Sequence, residues 1–327
     1  MADFKRLRRL LPLVVSATII ALAGHVLIGT LKRIRFADVL HALARTAPAE
    51  VAVGVLLVVV LYAALATYET VIARFLAGPV SARRAVLGAL LAGPLGHAIG
   101  WGAVSGGAIR YRIYSAVDMR PLEIGKFALL AAIPYPAGLG LLLAVSLVLQ
   151  SNAAGAILHT SAALARGVGL GLFALHASYL ALIVLQRPVP VGGLRLTLPS
   201  PPLTAVQYCV GIVEVCCGAG ILYVLLPDGV SLPFVVFLGV YTLSILAALA
   251  SSMPAGIGVF ESVLLLLLPH VPPAPLLGSV LAYRFLLELV PVTLALALFV
   301  SYEIWWRLPP QRARLAALHA ARDEIEF

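Results

Sequence analysis

The sequence predicts an all-α polytopic membrane protein of about eight transmembrane helices, with two Gly/Pro-broken segments of the kind re-entrant hairpins use. Three observations carry that prediction. Of 327 residues, 62% are hydrophobic and 11% charged, against roughly 45–50% and about 25% in ordinary soluble proteins. Mean hydropathy is +1.05, so a water-soluble domain of this size would have to cover its surface with apolar side chains. Charge-free intervals of membrane-spanning length recur along the chain, rich in Leu and Ala and without the alternation of a β-barrel strand.

About 20 apolar residues cross a bilayer as a helix. The uncharged intervals are Leu10–Leu31, Val51–Tyr68, Ala85–Ile109, Phe127–Ala165, Gly167–Gln186, Leu196–Val213, Gly229–Phe260 and Ser262–Tyr283. Pro199, Pro201 and Pro202 delay the sixth helix to about Thr204, after which it continues through Glu214 to Leu226. The expected spans are therefore 11–31, 51–75, 85–104, 124–149, 167–186, 204–226, 232–252 and 276–304, one integral membrane domain followed by a short tail at 307–327. Lys5, Arg6, Arg8 and Arg9 ahead of the first run resemble a signal-peptide start. The run stays uncharged to Leu31, longer than a signal core, so it reads as a retained anchor. Lys32 to Glu50 carries Ile34, Val39, Leu40 and Leu43 at helical spacing and suits the interface. Four Lys/Arg in each terminal tail place both termini in the cytoplasm of a bacterial inner membrane, although Lys32, Arg33, Arg35 and Arg45 weaken that bias.

The net charge of +9 on so apolar a chain fits anionic lipid headgroups rather than nucleic acid. Soluble-enzyme chemistry finds no foothold. The three cysteines lie within Cys209–Cys217, the seven histidines are scattered, and neither set has metal-ligand spacing. Gly256-Ile257-Gly258-Val259-Phe260-Glu261 lacks the last glycine of a dinucleotide loop, and Gly102-Ala103-Val104-Ser105-Gly106 has the wrong spacing for a nucleophile elbow. No cofactor is expected.

Polar groups inside the spans are the informative exceptions. An ionisable side chain at the helix centre costs about 2.5–3.5 kcal/mol on insertion scales, so it needs a partner or a wet cavity. Glu69, Glu214, Glu261, Arg284 and Glu288 are such groups, and Arg284 and Glu288 stand one helical turn apart. Each is either a satisfied interhelical contact or part of a shared polar cavity. Two segments also interrupt helical sequence. Gly93–Gly107 holds six glycines and a proline in fifteen residues, including Gly102, Gly106 and Gly107, and leads into Arg110 and Arg112. Ser251–Glu261 contains Pro254, Gly256 and Gly258. Such breaks are expected to be non-helical and to face a cavity, or, for the first, to be a close-packing face of small residues. In each half a Gly-rich break precedes a charged residue (Arg110, Glu261) and a Pro-Leu helix start (Pro121-Leu122, Pro275-Leu276), a pattern that a diverged repeat would leave.

Ser105-Gly106-Gly107-Ala108-Ile109-Arg110-Tyr111-Arg112, Met253-Pro254-Ala255-Gly256-Ile257-Gly258-Val259-Phe260-Glu261 and Leu281-Ala282-Tyr283-Arg284 resemble the lysylphosphatidylglycerol synthase transmembrane-domain family, the membrane half of the bacterial multiple peptide resistance factor. The likeness spans roughly residues 5–305, with Glu69 in place of the family's Asp and Ala255 where a second glycine is common. It implies lipid handling: an anionic or aminoacylated phospholipid as partner, a flippase-like movement between leaflets, and a separate aminoacyl-lipid synthase as a further partner. The synthase domain itself does not fit into Arg307–Phe327, so the family's synthase activity is not expected.

On that reading Arg110, Arg112 and Arg284 hold a phosphate through bidentate hydrogen bonds, and Glu69, Glu214, Glu261 and Glu288 line the polar route. With no ATP-binding motif, transport is passive or ion-coupled. A transporter of another amphiphile or small solute, and a membrane-embedded lipid-modifying enzyme, stay open at this point. The latter lacks a recognisable nucleophile, metal or acid–base cluster.

Overall fold

A computed structural model describes residues 46–307, except 77, 100–101, 186–188, 192–193, 197–198, 228 and 252–255, together with residues 14, 18 and 21. The expected span at 11–31, most of the Lys32–Glu50 interface segment, Pro254 and the tail beyond Arg307 therefore fall outside the described residues. What is described is helical apart from one short loop hairpin, which makes the protein an all-α polytopic membrane protein.

Helix α1 runs Pro48–Phe75, α2 Ala82–Ile99, α3 Gly102–Tyr114, α4 Pro121–Ala132, α5 Pro134–Leu149, α6 Ser151–Ile157 and α7 Ala162–Val184. Strands β1 (Val189–Val191) and β2 (Leu194–Leu196) pair antiparallel, with Val189 opposite Leu196. Then come α8 (Pro201–Val224), α9 (Phe234–Ala250), α10 (Val259–Leu267), α11 (Pro273–Arg284), a π-helical turn at Phe285–Leu289, and α12 (Val290–Arg307). Proline occupies the first turn of α1, α4, α5, α8 and α11, where its missing N–H costs nothing and its fixed φ favours the helix.

Among the described residues, five stretches are long and apolar enough to cross a membrane: Pro48–Phe75, Pro121–Leu149, Ala162–Val184, Pro201–Val224 and Pro273–Trp305. Leucines and valines such as Leu56, Val59, Leu170 and Leu175 stand exposed on α1 and α7, as lipid-facing positions must.

The segments expected as simple spans near 85–104 and 232–252 are each one arm of a helical hairpin. In the first, α3 folds back along α2: Ser105 Oγ donates to the Gly96 carbonyl at 2.9 Å, and Tyr114 lies against Gly88. In the second, α10 folds back along α9: Phe260 meets the Tyr241 ring edge-on at 5.9 Å, and Gly256 lies against Ala248. Gly102, Gly106 and Gly107 are helical, which corrects the expectation of irregular backbone there. Helix α2 ends at Ile99 and α3 begins at Gly102. The glycines instead let α3 approach α2, with Gly106 against Ala92. Gly256 and Gly258 do leave the helix, with φ of +60° and +89°, a region that L side chains rarely enter.

The two halves repeat one pattern: a long helix, a hairpin, and a long Pro-initiated helix that is itself interrupted. Helices α1 and α8 pack antiparallel, since Gly54 faces Ile221, Gly220 faces Leu57, and Gln207 Nε2 donates to the Tyr68 hydroxyl at 2.9 Å. The second half is therefore inverted relative to the first. The halves interlock: the first hairpin's α2 packs on α12, and the second hairpin's α9 packs on α5. Helices α5 and α8 cross where Gly138 meets the Gly211 backbone and Gly211 meets the Pro134 carbonyl, with no room for a Cβ on either glycine. Pro134 has no N–H to offer the Leu130 carbonyl. That oxygen is satisfied by Ile133 N–H at 3.3 Å and the Tyr68 hydroxyl at 2.7 Å.

Candidate functional site

The ionisable side chains of the core fall into three groups at different depths. Glu69, six residues before the end of α1, accepts two parallel hydrogen bonds from Arg110 on α3, Nε at 2.7 Å and Nη2 at 2.9 Å. The Tyr114 hydroxyl donates to the same carboxylate at 2.8 Å. Arg110 is eight residues into α3, about 12 Å from the hairpin tip, so this cluster sits toward the base of the first hairpin. It is buried and pairs one carboxylate with one guanidinium.

Arg112 points the other way from α3 and pairs with Glu303 on α12, Nε to Oε1 at 2.7 Å, with both side chains 5% exposed or less. Its guanidinium also lies 5.7 Å from the centre of the Tyr302 ring. This pair ties the first hairpin to the last helix of the other half. Glu303 went unnoticed in the sequence because it lies a few residues from the Trp305-Trp306-Arg307 helix end, where a carboxylate reads as solvated.

The third group lies deeper. Arg284 is eleven residues into α11, about 17 Å along its axis, and Glu214 is thirteen residues into α8, about 20 Å. Both are near mid-depth of a core about 30 Å thick. Arg284 Nε donates to Glu261 Oε1 at 2.6 Å, and its Nη1 lies 2.8 Å from Glu288 Oε2. Glu261 works twice: its Oε2 accepts the Gly258 N–H at 2.8 Å, capping α10 at the hairpin tip. Glu288 sits in the π-helical turn, three residues before Pro291; such turns shift side-chain direction and recur at functional sites.

Several tyrosines lie near these groups. Tyr62, Tyr135 and Tyr241 each lie within electrostatic reach of both Glu214 and Glu288. The Tyr241 and Tyr283 hydroxyls are hydrogen-bonded at 2.8 Å. His97, two residues from the end of α2, meets Tyr135 edge-on at 5.8 Å and reaches Glu288 electrostatically. His97 of the first hairpin and Glu261 of the second thus both lie near Glu288.

Of the residues singled out in the sequence, Glu261, Arg284 and Glu288 come together, and Glu214 makes no hydrogen bond or ion pair with them. Glu69 and Arg110 form a separate pair, and Arg112 a third. The three arginines do not converge on one phosphate-sized point; each is held by its own carboxylate. Spacing alone hid this, because residues two apart on a helix face different neighbours. Tyr62, Tyr135, Tyr241 and Tyr283 were missed as a set, and only the repeat's fold brings them near Glu288. Among the described residues, no cluster of three or more His, Cys, Asp or Glu is arranged to hold a metal ion.

No family model matches the chain. It is 25% identical over 308 residues to the uncharacterized protein slr0712 of Synechocystis sp., covering 93% of this chain and 95% of that one. It is 30% identical over 259 residues to the inner membrane protein YbhN of Escherichia coli, covering 76% of this chain and 78% of that one.

Proposed function

The chain belongs to the family of the inner membrane protein YbhN and is a bacterial membrane protein; from that premise we propose that it binds a phospholipid headgroup at its central site and moves it between leaflets. The observation that carries this reading is the cluster of Arg284, Glu261 and Glu288 near mid-depth, to which the second hairpin contributes Glu261 and near which the first hairpin places His97. Moving a headgroup needs a polar route through about 30 Å of hydrocarbon, and opposed half-helices in an inverted repeat supply one. Arg284 offers a guanidinium suited to phosphate. The likeness of the Arg110, Glu261 and Arg284 segments to the lysylphosphatidylglycerol synthase transmembrane family supports an anionic or aminoacylated lipid.

Orientation is argued from the same architecture. Arg74, Arg83, Arg84, Arg120 and Arg307 lie at one set of helix ends, with Arg195 in the hairpin between α7 and α8, whereas residues 150–161, 225–233 and 268–272, at the opposite ends, hold no Lys or Arg. The positive-inside rule assigns the first set to the cytoplasm. The first hairpin then enters from the cytoplasmic side and the second from the opposite side. Arg166, whose Nη2 donates to Ser151 Oγ at 3.0 Å, and the 32–45 stretch run against the bias.

The test is reconstitution into vesicles carrying tail-labelled fluorescent phosphatidylglycerol, with a membrane-impermeant quencher added outside. Protein-containing vesicles should lose fluorescence beyond the outer-leaflet pool, and Arg284→Gln should return quenching to the protein-free level. Quenching that never exceeds the protein-free level with folded wild-type protein overturns the lipid reading.

A further inference from the structure

The second hairpin carries a single charge. Between Phe234 and Leu267 the sequence holds one Asp, Glu, Lys, Arg or His, and it is Glu261. The two oxygens of that carboxylate serve different elements. Gly258 N–H donates to Oε2 at 2.8 Å, within the first turn of α10, and Arg284 Nε of α11 donates to Oε1 at 2.6 Å. The cap binds Glu261 to its own helix. Parting Glu261 from Arg284 therefore moves the start of α10 and not one side chain alone. Gly256 and Gly258, both at positive φ, connect that start to the rest of the hairpin.

The first hairpin is held differently. Its α3 gives Arg110 to Glu69 on α1 and Arg112 to Glu303 on α12, and all four side chains are 12% exposed or less. Against these two buried pairs the second hairpin has one, and its carboxylate side chain is 18% exposed. The other ties of this hairpin to α11 are uncharged: Phe260 stacks on Tyr283 with ring centres 5.8 Å apart, and the Tyr241 and Tyr283 hydroxyls are hydrogen-bonded at 2.8 Å.

Arg284 is shared between its two carboxylates by edge. Both oxygens of Glu288 lie against Nη1, at 3.1 and 2.8 Å, and Glu288 belongs to the same chain segment, four residues on. Glu261 holds Nε. A phosphate grips a guanidinium through two parallel N–H groups, and with Nη1 covered by Glu288 the edge that begins at Nε is the fork it can take. Glu261 and a phosphate cannot share that edge, since two anions repel strongly where water is scarce.

We infer that Glu261 is a positioning residue: the headgroup phosphate replaces its carboxylate on the Nε edge of Arg284, and this replacement unlatches α10. Occupancy of the site then sets the second hairpin loose while the first stays pinned at its base. The displaced carboxylate remains the cap of α10 and leaves with that helix, which takes its negative charge away from the phosphate. This deepens the lipid reading, which supplies the source of the phosphate; the latch itself requires only an oxyanion.

Hydrogen–deuterium exchange of the purified full chain in neutral detergent reads the latch directly. It is followed by mass spectrometry in sodium chloride, in sodium phosphate of equal ionic strength, and in sodium chloride with added phosphatidylglycerol. Amides of α10 should exchange about tenfold faster with phosphatidylglycerol, the smaller end of what losing a charged hydrogen bond allows, while those of α3 keep their rates. The same rise in inorganic phosphate assigns the effect to the oxyanion, and a rise with the lipid alone assigns it to the whole headgroup. Glu261→Gln keeps an oxygen for the Gly258 cap but gives up the charged bond to Arg284, so its α10 should exchange fast without ligand and respond to neither addition. Arg284→Lys keeps the charge and loses the fork; it should also lose the response, and it serves if Glu261→Gln fails to fold. Wild-type α10 exchange that ignores both phosphatidylglycerol and phosphate overturns the inference, as does a full response in either folded variant. The vesicle assay separates this from the lipid reading. Lipid movement by a protein whose α10 never responds discards the latch alone, whereas a responsive α10 in a protein that moves no lipid retains the latch and discards the lipid reading.

Discussion

Removing Glu303 should destabilise the protein more than removing Glu303 and Arg112 together. The two side chains are 5% exposed or less and lie 2.7 Å apart, so Glu303→Leu strands a guanidinium that no water reaches. Breaking one partner of a buried pair costs about 3–5 kcal/mol, because the remaining charge is left uncompensated. Arg112 would keep its 5.7 Å approach to the Tyr302 ring, worth about 1–2 kcal/mol when desolvated, so the lower half of that range is expected. Arg112→Met with Glu303→Leu replaces the pair with packed apolar groups and should be nearly neutral. At about 2 °C per kcal/mol for a large domain, the single variant should melt roughly 6–8 °C below wild type and the double variant within about 2 °C of it. The measurement is a thermal melt of each purified variant in the same detergent, read by tryptophan fluorescence. Equal losses in single and double variants would refute the reasoning, since the pair would then be acting through shape and not through stranded charge.

Packing and topology give two further outcomes. Gly138→Val should disrupt insertion or lower yield sharply, because a Cβ there collides with the Gly211 backbone where α5 crosses α8, whereas Gly125→Ala, with open space around it, should express like wild type; accumulation of both variants in the membrane fraction is the readout. Cytoplasm-dependent reporters fused at residue 79, at residue 118 and after Arg314 should all be active, while one at residue 229 should be silent; opposite signals at 79 and 118 would mean that α2 and α3 cross the membrane instead of forming a hairpin.

The sequence carried the membrane class plainly, since composition and charge-free intervals act over the whole chain and need no tertiary information. Helix starts were also legible: Pro48, Pro121, Pro201 and Pro273 each mark one within a few residues. The hairpins were not, for a physical reason. An apolar run of 17 or 18 residues, such as Phe234–Ala250 or Ala82–Ile99, has the same periodicity whether it exits the far side or turns back at the middle. The residues just beyond the run decide the turn-back. After Ile99 the glycines of α3 allow a second helix to lie against the first, and after Ala250 the left-handed Gly256 and Gly258 reverse the chain. The same limit governed the charges. Arg284 and Glu288, four apart on one chain segment, could be paired from spacing, and the structure brings Glu261 to them. The Glu69–Arg110 and Arg112–Glu303 partners depend on which helices touch, which only the interlocked halves decide.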